Sequence, residues 1–169
     1  MRKNNKVGLF IDLANLNRSM QENGQKPDYK FLLTKASEYG AVIEARGYGD
    51  FSRIPAYIQK EIISVGIRLI HCPNNHNGDT KLDDPLMIED IHDCLTQTRV
   101  GIFILVTGDS HFAPLVSTLR RNLKKVVVIG VPSTTSSILR ECANEFIPLL
   151  VNNNQENKEQ MNYPIESIN

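Results

Sequence analysis

The sequence predicts a three-layer α/β domain in which helices cover both faces of a mostly parallel sheet of five to six strands. Short continuous apolar runs with the length of buried strands recur along the chain, and segments with apolar residues at helical spacing separate them. Glycine and proline residues stand where one segment changes into the next. With 169 residues, 41% of them hydrophobic, the chain is long enough to form one well-buried domain.

The first half of the chain is expected to form three strands and two helices. The apolar runs of strand length are residues 7–11 (VGLFI), 41–48 and 67–71. Between the first two runs, apolar residues recur at helical spacing and stop at Gly40, which is a typical end of a helix. Residues 54–65 carry a second helical stripe between the later two runs.

The second half of the chain continues the alternation after a polar loop. That loop is rich in turn-forming residues, and the last residues of the chain have few apolar anchors, which predicts a flexible tail. In chain order, the sequence predicts a loop (73–83), a helix (85–98), a strand (102–106), a helix (112–123), a strand (126–131), a helix (133–144), a short strand (146–151) and the tail (152–169). The expected domain therefore covers residues 1–151.

The composition excludes several classes of protein. The formal net charge is zero, which argues against a protein that binds nucleic acid through a global basic field. The three cysteines are scattered and form no C-x-x-C pair, as in proteins with reduced thiols. The apolar run near the N-terminus is too short for a signal peptide or a membrane span. A cytoplasmic protein with no membrane partner is expected.

Polar side chains follow the predicted strands at one edge of the sheet. In an open parallel sheet, ligands bind outside the carboxyl ends of the strands. Asp12 and Asn15 follow the first strand, and Asp109 follows the fourth. Asp84 precedes Pro85, and proline favours the first helical position, so Asp84 is predicted to be the N-cap of a helix that starts at the same edge. Three carboxylates from separate segments are thus expected to converge.

Each of these residues also has a purely structural interpretation. Asp12 and Asn15 are good caps for a first helix, Asp84 is an ordinary N-cap, and Asp109 suits a turn. The convergence of three carboxylates favours a cation, because unneutralised like charges at close range repel. Oxygen ligands favour Mg²⁺ or Mn²⁺ over zinc, and such an ion supports hydrolysis of a phosphodiester. Asp90 lies about 9 Å further along the helix from Asp84 and turned away from it, so it ranks second.

Four segments together resemble the NYN domain family, the LabA-like relatives of PIN-domain ribonucleases. They are FIDLANL (10–16), ARGYGD (45–50), KLDDPLMIED (81–90) and LVTGDSHFAPLV (105–116). The resemblance extends over residues 7 to about 150 and implies a PIN-like, Rossmannoid fold. It also implies an endoribonuclease that uses Mg²⁺ or Mn²⁺ to hydrolyse RNA.

The resemblance also implies roles for individual residues. Asp12, Asp84 and Asp109 would be the metal ligands, and Asn15 would orient Asp12 or a water molecule on the metal. The supporting residues would be Asp90 as an outer group on the helix, and Thr107 or Ser110 as a brace for the loop of Asp109.

His111 departs from the family pattern, because the family usually has a second aspartate at this position. The change removes one negative charge, although a neutral imidazole can still bind a metal or move a proton. Three hypotheses follow: catalysis with one metal, an altered metal preference, or a catalytically weak RNA-binding or regulatory module. A nucleotide-binding Rossmann domain is not supported, because no G-x-G-x-x-G follows the first strand.

An RNA substrate, single-stranded or structured, requires cations and stacking groups near the acidic edge. Lys81 is expected to contact the scissile phosphate, and Arg46 and Arg53 are further candidates for phosphate contacts. Tyr48 is a candidate for stacking on a base. A homodimer is an expectation from general frequency alone.

Overall fold

The structure is a computed structural model and describes residues 5–73 and 83–149. Within these residues, six strands form one sheet in the order β3-β2-β1-β4-β5-β6, and every neighbouring pair is parallel. The strands are β1 (Lys6–Asp12), β2 (Ala41–Gly49), β3 (Arg68–His71), β4 (Ile102–Val106), β5 (Lys125–Gly130) and β6 (Glu145–Pro148). The predicted parallel α/β sheet is confirmed.

Helices cover both faces of this sheet. They are α1 (Leu13–Glu22), α2 (Tyr29–Ser37), α3 (Ala56–Ser64), α4 (Asp83–Gln97), α5 (Ala113–Arg121) and α6 (Ser137–Cys142). Buried side chains of α1, α2 and α3 share one hydrophobic core, and those of α4, α5 and α6 share the other. The expected three layers are therefore present.

The two central strands, β1 and β4, separate these cores. Leu9 and Ile11 of β1 lie in the core on the α1–α3 side, whereas Phe10 lies in the core on the α4–α6 side. All five residues of β4 are buried. Successive side chains of a strand point to opposite faces, so a continuous apolar run is the pattern of a strand covered on both sides.

The strand order reverses direction between β1 and β4. From β1 the chain continues outward to β2 and β3, and from β4 it continues the opposite way to β5 and β6. The connections that leave the carboxyl ends of β1 and β4 therefore diverge and open a crevice between them. Asp12 ends β1 at this crevice, and the loop of Asp109 follows β4 there.

Several predicted boundaries are wrong for identifiable reasons. Helix α4 begins at Asp83, so Asp84 lies inside its first turn and is not the N-cap. The last helix is shorter than predicted, because the backbone N–H groups of Thr134 and Thr135 both donate to the carbonyl of Val131 and form a turn before it.

The sequence assigned no span to α1. Its segment LANLNRSMQE contains two asparagines and a serine, which are weak helix formers. The helix is stabilised instead by burial of Leu13, Leu16 and Met20 against the sheet. The predicted loop lies outside the described residues from 74 to 82, and the tail over 152–169 lies wholly outside them.

Candidate metal centre

The buried carboxylate of Asp12 links β1, α1 and the loop after β4. It is the N-cap of α1, and its Oδ1 accepts a hydrogen bond of 2.9 Å from the backbone N–H of Asn15. Its Oδ2 accepts a bond of 3.1 Å from the hydroxyl of Thr107. Asp12 is only 3% exposed. One side chain thus combines the capping role with a contact to the loop that follows β4.

Thr107 links Asp12 to Asp109 through two hydrogen bonds of its hydroxyl group. Its hydroxyl oxygen accepts a bond of 3.2 Å from the backbone N–H of Asp109 while it donates to Asp12. The side-chain oxygen of Asn15 accepts a bond of 2.9 Å from the backbone N–H of Gly108. Thr107 therefore braces the loop, whereas Ser110, the other residue expected in this role, is exposed.

Gly108 permits the close approach of this loop to the next connection. A Cβ at position 108 would lie 2.8 Å from the carbonyl oxygen of Thr134 and 3.1 Å from the Cα of Thr135. The backbone N–H of Ser136 also donates to the carbonyl of Gly108. Only a residue without a side chain fits here without a shift of backbone.

Asp84, Asp109 and His111 form a group that is able to hold a metal ion. In the described part of the chain, one ligand atom from each of these three residues lies within 4.8 Å of the other two. His111 Nδ1 is 3.2 Å from Asp109 Oδ1 and 3.7 Å from Asp84 Oδ2. The backbone N–H of His111 also donates to Asp109 Oδ1 at 3.0 Å, which holds the imidazole on this side of the loop.

The donor atoms fit a divalent cation. Two carboxylate oxygens and one imidazole nitrogen converge, and ligand atoms lie about 2.0–2.2 Å from Mg²⁺ or Zn²⁺, so small side-chain movements would close the group onto an ion. The side chains of Asp84 and Asp109 are 13% and 18% exposed, whereas that of His111 is 76% exposed. The group is thus open to solvent on the histidine side.

The expected ligand set and this group overlap in two of three residues. Asp84 and Asp109 are neighbours in the structure, and their role as ligands stays a prediction. Asp12 is not a member of the group and contacts Asp109 through Thr107. His111, whose imidazole was expected to be able to bind a metal or move a proton in place of the family's aspartate, is the third member. The sequence feature that pointed to this role was its position two residues after Asp109, in the turn that precedes α5.

Asp90 anchors α4 to the sheet and is not a member of the metal group. Its Oδ2 accepts bonds from the Tyr48 hydroxyl at 2.8 Å and from Arg46 Nη1 at 2.9 Å. The other side of the Arg46 guanidinium donates to Glu44 through Nε and Nη2. Burial, and then the bond to Asp90, raises the pKa of Tyr48 above its usual range, so the hydroxyl stays protonated and donates.

This network corrects one predicted substrate contact, that of Tyr48, and shows the structural bonds of a second candidate, Arg46. Tyr48 is fully buried, so no face of its ring is open to a base, and stacking on RNA is excluded as its role. Arg46 is held by two carboxylates and joins β2 to α4, and its contact with a phosphate stays a prediction. Arg53 remains a candidate because its side chain is 65% exposed. Lys81 lies outside the described residues.

A cavity of about 910 Å³ lies between α2, α3 and the start of β2. Its lining includes Leu33, Tyr39, Val42 and Val65, with Glu38 as the charged residue. The start of β2 is at the amino edge of the sheet, whereas Asp84 and Asp109 lie at the carboxyl edge. This cavity is therefore not part of the candidate site.

Comparison with known proteins agrees with this arrangement. A family model described as the NYN domain matches residues 6–150. No curated protein matches the chain. Among solved structures, the chain is similar to a protein of unknown function from Vibrio parahaemolyticus, with 29% sequence identity and a TM-score of 0.77, over 87% of this chain and 94% of that one.

In the described residues, no helix has the length and apolar character needed to cross a membrane.

Proposed function

The chain belongs to the NYN domain family, a branch of the PIN-like nuclease superfamily, and on this premise we propose that it is a metal-dependent endoribonuclease. The observation that carries the proposal is the convergence of Asp84, Asp109 and His111 at the crevice where the strand order reverses. PIN-like nucleases generally use divalent metals, and this group is where the chain would bind one.

The proposed roles follow from the contacts. Asp84 and Asp109 supply oxygen ligands, and His111 supplies Nδ1. Asp12 acts through Thr107, which places the backbone of Asp109. When bound, the ion lowers the pKa of a coordinated water molecule and stabilises the charge that develops on a phosphate. With Nδ1 as a ligand, the neutral ring would carry its proton on Nε2, and because the side chain is 76% exposed this N–H would be free to donate a hydrogen bond to a phosphate oxygen of the RNA.

Mn²⁺ is the favoured ion in this proposal, with Mg²⁺ second. Carboxylate oxygens suit both ions, but an imidazole nitrogen binds Mg²⁺ poorly. The replacement of an aspartate by His111 therefore shifts the preference towards a transition metal. The test compares Mn²⁺ and Mg²⁺ in the same binding and cleavage assays.

The proposal is tested by calorimetric titration with Mn²⁺ and by cleavage of a labelled single-stranded RNA. Wild type is expected to bind one Mn²⁺ and to cleave only when the ion is present. Asp109→Asn and Asp84→Asn should lose both properties. Asp93→Asn is the matched control, because Asp93 is an exposed aspartate of the same helix, α4. Equal metal binding and cleavage by all four proteins would reject the site.

A second candidate function is a catalytically weak RNA-binding module. It is favoured by the contact of His111 Nδ1 with both carboxylates, because an imidazole in this position occupies the space between them that a metal ion would take. In this case wild type would bind RNA without cleaving it. Restoring the family's residue with His111→Asp should then create Mn²⁺ binding and cleavage together.

A further inference from the structure

An aromatic pair lies at the carboxyl edge of the sheet, beside β2 and β3. The rings of Phe51 and His71 have centroids 5.6 Å apart and are tilted by 33°. The side chain of Phe51 is partly buried and packs against the core on the α1–α3 side. His71 is the last residue of β3 and is exposed. The core thus supports the phenyl ring, which in turn supports the imidazole at the surface.

The imidazole of His71 is held in one orientation. Its Nδ1 accepts a hydrogen bond of 3.3 Å from the backbone N–H of Phe51. A neutral imidazole has one donor and one acceptor nitrogen, so this bond assigns the proton to Nε2. His71 therefore offers a ring of fixed orientation together with an N–H donor.

The loop that contains Phe51 forms a hydrogen-bonded turn, and this turn carries the basic side chain of Arg53. Asp50 Oδ1 accepts bonds from the backbone N–H and the hydroxyl of Ser52, at 3.0 Å and 2.6 Å. Arg53 donates its backbone N–H to the carbonyl of Asp50, and its Nε lies 3.5 Å from Asp50 Oδ2. Its side chain is nevertheless 65% exposed, which leaves the guanidinium accessible to a phosphate or a base.

This group lies on the same edge as the metal centre. Neighbouring strands are about 4.8 Å apart, so the end of β3 is roughly 14 Å across the sheet from the end of β4, which the loop of Asp109 and His111 follows. Tyr48, the aromatic residue expected to stack on RNA, is buried between them, whereas the ring of His71 is exposed at this edge.

We propose that His71, Phe51 and Arg53 form a subsite for one unpaired nucleobase of the RNA. The base stacks on the exposed face of the His71 ring, and Arg53 contacts the adjoining phosphate. Aromatic rings beside a cation are the usual means of holding single-stranded RNA, since every base has a face for stacking. The separation from the metal centre places this base within a few nucleotides of the scissile phosphate. The inference rests on the proposed function and names the single strand as its substrate class.

The test measures steady-state cleavage of a short single-stranded RNA with Mn²⁺, and binding of the same RNA without a divalent ion by fluorescence anisotropy. His71→Ala is expected to raise both KM and Kd by about 5-fold to 100-fold, the usual effect of losing one stacked base. The value of kcat and the affinity for Mn²⁺ should stay at the wild-type level. His71→Phe keeps an aromatic ring and should stay within about 3-fold of wild type.

His92→Ala is the matched control, because His92 is an exposed histidine on α4. RNAs with a single abasic position, scanned along the strand, give an independent readout. One position should weaken binding to wild type and should have no further effect on His71→Ala. Arg53→Ala should raise KM and make binding less sensitive to salt.

The possible results separate the subsite from the proposed function. If wild type cleaves RNA but His71→Ala behaves like His92→Ala, the subsite is rejected and the nuclease stands. Loss of Mn²⁺ affinity or of kcat in His71→Ala also rejects stacking, because it would assign His71 to the metal centre. If wild type neither binds nor cleaves single-stranded RNA, both the function and the subsite are rejected.

Discussion

Removal of the Thr107 hydroxyl should destabilise the fold and weaken the metal centre at the same time. Thr107→Val keeps the shape of the side chain but removes its donor and acceptor, so no cavity is created. Thr107 is only 2% exposed. Its hydroxyl donates a hydrogen bond of 3.1 Å to the buried carboxylate of Asp12 and accepts one of 3.2 Å from the backbone N–H of Asp109. Water has no direct access to replace the first of these bonds.

The expected loss follows from those two bonds. A hydrogen bond to a charged group contributes about 1.5–3 kcal/mol and a neutral bond about 0.5–1.5 kcal/mol. Because Asp109 lies nearer to solvent, its N–H is expected to recover part of its bond to water. The free energy of unfolding should therefore fall by about 2–4 kcal/mol. For a domain of this size that corresponds to a decrease in Tm of roughly 5–15 °C.

Urea denaturation followed by far-UV circular dichroism measures this loss, because the chain contains no tryptophan for fluorescence. Thr107→Ser retains the hydroxyl and should lie within about 1 kcal/mol of wild type. Calorimetry should show weaker Mn²⁺ binding for Thr107→Val, since the loop of Asp109 loses its brace. A valine variant within about 0.5 kcal/mol of wild type would refute the reasoning. So would a serine variant as unstable as the valine variant, because the lost methyl contacts would then be the cause.

Three further predictions concern other parts of the fold. Gly130→Ala should cost about 1–3 kcal/mol, because the added Cβ would overlap the Thr135 hydroxyl, whose own bond holds it in place; an unchanged urea midpoint would contradict this. Tyr39→Phe removes a bond of 2.6 Å to Glu145, the main cause that lowers the pKa of this carboxylate. The variant's loss of stability should be fully present above about pH 4.3, the pKa of glutamate in the unfolded chain, and should shrink as the pH falls through the lowered pKa of Glu145 in the folded protein. A difference in Tm between wild type and variant that stays constant from pH 6 to pH 3 would refute this linkage. Mn²⁺ at 100 times its Kd should stabilise wild type by about 2.7 kcal/mol, seen as a rise in Tm, and a similar rise in Asp109→Asn would place the ion elsewhere.

The alternation of apolar runs and helical stripes was enough to predict the sheet and its edge. In β1 and β4 nearly every residue is apolar, and this pattern indicates strands whose two faces are both covered by helices. The right-handed, parallel connections then require the polar residues after each strand to share one edge. For this reason Asp84 and Asp109, which are distant in sequence, were expected near one another.

The orientation of the side chains within that edge was not readable from the sequence. Asp12 directs its carboxylate to the α1 terminus and Thr107, a contact across 95 positions of the chain. His111 joins the acidic pair because a short 3-10 turn over Ser110–Phe112 follows Asp109 and turns the imidazole back towards it. Such choices depend on loop conformation, which residue type and spacing do not determine.

The layers, the buried strands and the edge on which the polar residues gather could all be predicted from the residues in order, because each depends on periodicity and chain direction. Which polar residues meet depends on the packing of the folded chain. This packing paired Tyr48 and Arg46 with Asp90 across more than 40 positions and left His71 exposed at the edge instead. The physical reason is that hydrogen bonds between distant side chains depend on how α4 and the loops pack on the sheet, and no local pattern encodes that packing.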